Sequence, residues 1–67
     1  MPPPVTKDLI IEIGNELSDV LPDPTDRQIL DAVEDCIGRQ PTDAEGALAL
    51  IAYEHDEETA KRSIWYR

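Results

Sequence analysis

Proline and threonine punctuation limits what this chain can fold into more than any other feature. Pro24-Thr25-Asp26 and Pro41-Thr42-Asp43 each stand just before an apolar run with helical spacing, and Leu21-Pro22-Asp23-Pro24 closes the run ahead of them. Proline has no amide hydrogen and pushes the residue before it toward extended geometry, so these runs cannot merge into one long helix. Threonine supplies a hydroxyl that takes an orphan amide of a first helical turn. The two triplets are read as shared capping chemistry, because their spacing, Pro24 to Pro41, is shorter than the usual helical repeat units.

Ahead of the first break, Ile10, Ile13, Leu17 and Val20 form an apolar series, while Asp8, Glu12, Glu16 and Asp19 form an acidic one. Both spacings fit one helix over residues 6–20, with Thr6 as its N-cap and the two series on different faces. Gly14 interrupts this run at a cost of about 1 kcal/mol relative to Ala, which points to a bend, a weak helix or a close approach by another helix. A second helix over 26–38 is capped by Thr25 or Asp23 and carries Ile29, Leu30, Val33, Cys36 and Ile37 on one face. Cys36 is expected there as a small core residue. Gly38 and Pro41 mark its end.

Thr42-Asp43-Ala44-Glu45 matches a capping box and opens a third helix, 43–55, with Ala44, Ala47, Leu48, Ile51, Ala52 and His55 on one side. Asp56-Glu57-Glu58 can open a fourth, 57–65, in which Lys61 and Arg62 suit the negative C-terminal end. Pro2, Pro3 and Pro4 predict an extended arm over residues 1–5. No strand-like alternation competes. The expectation is an all-α fold, a small three- or four-helix bundle with short Pro/Gly-marked loops, forming a single helical domain over 6–67 behind the Pro-rich N-terminal arm.

At 67 residues with no Phe, one Trp and two Tyr, the core must come from Leu, Ile, Val and Ala. Such a core is small, and self-association or partner binding would supplement it. Fifteen acidic residues against six basic give a net charge of −9. That balance opposes direct nucleic-acid binding and anionic membranes, both of which need a basic footprint. It favours a basic protein surface as partner, including that of a nucleic-acid-binding protein, although solubility alone also accounts for surface charge. Only two lysines accompany the acids, which also suits a salt-adapted organism. No run approaches the ~20 apolar residues of a membrane span and Met-Pro-Pro-Pro is no signal peptide, so cytoplasmic residence is the expectation, in the producing cell or in a host cell.

Nothing in the chain has the pattern of an active site. A single Cys36 allows neither an intrachain disulfide nor a Cys-only zinc site, and His55 is the lone histidine, more simply a structural or solvated residue than a switch. Carboxylates are abundant, but acid–base pairs need an enclosing pocket, and neither Asp23–Asp26 nor Asp31–Asp35 has the ligand spacing of a calcium loop. No metal or cofactor is expected. Acyl carrier proteins are acidic helical domains of similar length, yet their attachment serine follows Asp and precedes Leu at a helix start. Leu17-Ser18-Asp19 runs in the opposite order at a helix end, so that attachment site is absent.

The acidic series on the first helix is the leading candidate. Like charges four residues apart destabilise a helix by roughly 0.2–0.5 kcal/mol per pair, so folding alone does not select them. Their rise of about 6 Å per step is comparable to phosphate spacing along a moderately extended nucleic-acid strand. Asp31, Glu34 and Asp35, with Asp56, Glu57 and Glu58, extend the surface if the fold places them on the same side. Ile64, Trp65, Tyr66 and Arg67 either complete the core or anchor a partner, since Trp, Tyr and Arg are enriched in binding hot spots. The sequence thus predicts a non-enzymatic acidic interaction module. It would bind a basic protein surface as a small regulator or inhibitor, with a nucleic-acid mimic of phage or plasmid origin as one form of that reading, through Asp8, Glu12, Glu16, Asp19, Asp31, Glu34, Asp35, Trp65, Tyr66 and Arg67. The alternative is a homodimerising helical structural subunit or assembly adaptor.

Overall fold

Each helix begins at a side-chain cap. In the computed structural model, which describes residues 4–67, Thr6 Oγ1 accepts from the Leu9 amide at 3.1 Å and α1 runs Lys7–Val20. Thr25 and Gln28 form a reciprocal capping box at the start of α2, Asp26–Ile37. Thr42 and Glu45 do the same for α3, Asp43–Glu54. Asp56 Oδ1 accepts from the Thr59 amide at 2.6 Å and opens α4, Glu57–Arg62. Gly38 ends α2 with φ of 78°, a left-handed conformation that a side chain would strain. Among the described residues there is no strand, and the fold is a small all-helical bundle.

Three expectations about positions need correction. The fourth helix stops at Arg62 instead of continuing to 65. Ser63 Oγ donates to the Ala60 carbonyl at 2.7 Å, a local bond that competes with the helical ladder, and residues 64–66 turn back toward α1. Val20 is not part of the buried stripe but 67% exposed, whereas Ile11, outside the apolar series, is fully buried. The reason is Gly14, which sets the point where α3 crosses: Ile10 and Ile11 flank it, and Val20 lies about 120° around the helix from it in the last turn. Cys36 is exposed: in the last turn of α2 it is Ile37, about 100° around the helix from Cys36, that packs against the core, and Cys36 is left uncovered. Of the expected extended arm, Met1, Pro2 and Pro3 lie outside the described residues; Pro4 is exposed and Val5 packs against the core.

Helix α3 is the hub, packing against α1, α2 and α4. A Cβ on Gly14 would stand 2.5 Å from the Ala49 carbonyl oxygen and 3.0 Å from Ala52 Cβ. Glycine is therefore required for α1 and α3 to meet at this distance. Around that crossing Ile10, Ile11, Ile13, Val33, Leu48, Ala49, Ala52 and Ala60 form the buried cluster, and no buried side-chain polar atom is left unpaired among the described residues. The Tyr53 hydroxyl donates to the Leu21 carbonyl and ties the end of α3 to the end of α1. No helix among the described residues is long and apolar enough to cross a membrane.

Candidate functional site

Burying α1 through Gly14 turns its acidic series outward. Glu12 lies about 200° around the helix from Gly14, and Asp8, Glu12, Glu16 and Asp19 are all exposed. Most of the basic side chains are engaged with other groups. Arg27 pairs with Asp31 at 3.3 Å, Arg39 with Glu45 at 2.8 Å, Lys61 with Glu57 at 3.0 Å and Arg62 with Glu58 at 2.5 Å. Lys7 donates instead to the main-chain carbonyls of Tyr66, at 3.2 Å, and Arg67, at 2.8 Å. Among the described residues, no ion pair includes Glu12, Glu16 or Asp19.

Asp8 is different from the other three. The Tyr66 hydroxyl donates to its Oδ1 at 2.7 Å, and this bond, with some desolvation and the carboxylate charge, raises the phenol above its ordinary value while Lys61 partly offsets it. The Lys61 ammonium is itself raised, chiefly by Glu57, with Asp8 and Tyr66 adding to the effect. The two features the sequence separates by most of its length, the acidic row and the aromatic tail, therefore meet at one end of α1. Tyr66 is half-buried against the core, Arg67 is exposed, Trp65 is 40% exposed and Ile64 73% exposed. Within the tail, neighbouring residues thus take opposite roles.

The remaining acidic candidates fall into two settings. Asp56, Glu57 and Glu58 share a shallow depression with Asn15 of α1, so the margin of the α1 row meets α4. These acids are satisfied internally: Glu57 and Glu58 by their ion pairs, and Asp56 by the Thr59 hydroxyl and amide, which hold its carboxyl below the usual range. Asp31 and Glu34 instead border a cleft of about 370 Å³ between α2 and α3, and Asp35 is exposed on α2. The structure groups them with α3 and not with α1.

That cleft has no counterpart in the sequence reading. Half-buried Leu30, Pro41, Ala47 and Leu50 line it. The available signal was the composition of α3, which carries apolar residues all round and so has to meet neighbours on several sides. At its corner the Arg39 guanidinium donates to both oxygens of Glu45, each at 2.8 Å, and Glu45 also accepts from the Thr42 amide at 2.9 Å. The Arg39 fork is the main reason the Glu45 carboxyl falls to about 2, and it raises Arg39 in turn.

Among the described residues, no group of three or more His, Cys, Asp or Glu is placed to hold a metal ion. Fold and surface together define a class, a small helical bundle whose outward α1 face carries Glu12, Glu16 and Asp19 in no ion pair among the described residues. No family model, curated protein or solved structure matches the chain.

Proposed function

We propose that this protein is a non-enzymatic interaction module that binds a basic protein surface as a small regulator or inhibitor, with the outer face of α1 as its contact, acting in the cytoplasm. One observation carries the reading: Glu12, Glu16 and Asp19 form an exposed row without ion pairs among the described residues, while Lys7, Arg27, Arg39, Lys61 and Arg62 are engaged elsewhere in the fold. Charge left uncompensated on one helix face concentrates field there and steers a cationic partner. Mimicry of a phosphate row is the finer form of this reading, and a nucleic-acid-binding protein is then the partner. The homodimer reading draws on exposed Val20, Ile64 and Trp65. Val20 ends α1 while Trp65 sits beside Tyr66 at the start of α1, about 18 Å away along the helix, so the three make no single seal.

The test is capture of partners by the tagged protein at low and high salt, compared with the Glu12→Lys/Glu16→Lys variant. Basic proteins should be retained at low salt, released as salt screens exposed charges, and lost with the double variant. Capture that ignores both salt and the charge reversal would sink the reading.

A further inference from the structure

We infer that the α2–α3 cleft is a receptor for the turn that follows α4 in a second copy of this chain, with Trp65 as the inserted side chain. The cleft and its occupant are both visible in one molecule. On the receiving side, the half-buried Leu30, Ala47 and Leu50 make an apolar floor, and exposed Asp31, Glu34 and Asp43 stand around it. Arg27 is the cation at this rim, and it is already paired with Asp31. A cleft of about 370 Å³ lies at the small end of ligand-pocket sizes, suited to one or two large side chains. Its acidic rim selects an apolar anchor flanked by positive charge.

Residues 64–67 offer such an anchor, with Arg67 as its positive charge. Ile64 and Trp65 are among the most exposed large apolar side chains, and Arg67 stands beside them as the uncommitted cation, since Lys61 and Arg62 are held by Glu57 and Glu58. Arg67 is in no ion pair among the described residues. The turn is also held in shape, by Lys7 on the Tyr66 and Arg67 carbonyls and by Tyr66 on Asp8, so presenting Trp65 requires little further ordering.

Insertion within one molecule is ruled out by the packing. α4 contacts α1 and α3 and makes no contact with α2, while Tyr66 and Arg67 are fastened to α1. The donor turn and the receiving cleft therefore lie on different parts of the surface, and the contact is head to tail. Such contacts close into rings or grow into open chains. The mutual repulsion of copies charged −9 keeps this association weak, so it is seen at high protein concentration. The inference is independent of the α1 reading, because neither Glu12 nor Glu16 takes part.

The experiment is a dilution series of the ¹⁵N-labelled full chain followed by amide shifts, with Trp65 emission as a second readout. Amides of Leu30, Gly46, Ala47 and Leu50 should move with concentration, and Trp65 emission should shift to the red on dilution. Trp65→Ala should remove the concentration dependence. Glu34→Lys, an exposed site that leaves the core intact, should weaken it about tenfold, the cost of one charge-assisted contact. Mixing then assigns the two halves: labelled Trp65→Ala should recover its cleft shifts when unlabelled Glu34→Lys is added, and the reverse labelling should not. Cleft amides that stay fixed up to about 1 mM, the weak end of specific association, overturn the proposal. So does a concentration dependence that survives Trp65→Ala. If a synthetic Leu-Lys helical peptide moves the cleft amides while the chain's own concentration does not, the occupant is a foreign cationic segment and the second copy is refuted.

Discussion

Helix α3 makes two seams, each built around a glycine, and they close to different degrees. Against α1, Gly14 faces the backbone of Ala49 and the methyl group of Ala52, with nothing able to move aside. Against α2, Gly46 faces the far end of the Leu30 side chain, at 3.0 Å from a built Cβ, and a cleft opens beside it. Small residues on both sides let two backbones meet and exclude everything else. A small residue opposite a long flexible one brings the helices near without filling the space between them. The first seam holds the molecule together, and the second leaves a concavity available for recognition.

Truncation should separate the two seams most strongly. Ile11→Ala, at a fully buried position, should cost about 2–5 kcal/mol by lost burial and cavity formation. Leu50→Ala, at the half-buried cleft, should cost about 1 kcal/mol. Chemical denaturation of both variants provides the measurement, and equal losses would erase the distinction between a closed seam and an open one.

Adding a methyl group tests the same contrast with the opposite operation. Gly14→Ala should destabilise by about 1–3 kcal/mol, because overpacking against the Ala49 carbonyl outweighs the helix-propensity gain. Gly46→Ala should be neutral or stabilising by up to about 1 kcal/mol, since Leu30 can swing toward the cleft. Thermal melts resolve the sign, at roughly 4–8 °C per kcal/mol for a domain of this size. A stabilising Gly14→Ala would mean that the α1–α3 crossing relaxes more easily than its backbone contact implies.

The smallest effect is expected at the corner that fixes the open seam. Glu45→Gln keeps the shape of the capping box but removes the charge that Arg39 grips, and should cost about 1 kcal/mol at neutral pH. Folding lowers the Glu45 carboxyl from its ordinary value to about 2. Its contribution is therefore complete above about pH 5 and fades as pH falls through 4 toward 2. The gap between the two proteins should accordingly narrow over that interval in acid denaturation. A gap that stays constant down to pH 2 would show that the charge on Glu45 contributes nothing to the corner.

What was legible in the sequence is what is encoded locally. Thr6, Thr25, Thr42 and Asp56 each bind an amide three residues onward, so the helix starts follow from spacing alone. The outward direction of the acidic row was equally readable, because one helix face excludes another. Long-range choices were not readable. Ile11 and Val20 are similar side chains on one helix, and only the point where α3 crosses Gly14 decides which is buried. Cys36 has the right spacing for a core face whose flank no neighbouring helix covers. The bond from Tyr66 to Asp8 spans nearly the whole chain, and no periodicity announces it. The α2–α3 cleft arises from an imperfect fit between two helices, which a single-helix pattern cannot show.

The clasp from Lys7 to the carbonyls of Tyr66 and Arg67 also has a kinetic consequence. It joins positions 59 and 60 residues apart, and closing a loop that long costs more chain entropy than any local contact in the fold. Contacts of this separation form once the intervening helices are already in place. Because Trp65 sits next to the clasp, the chain's one indole reports its closure separately from the formation of the helices.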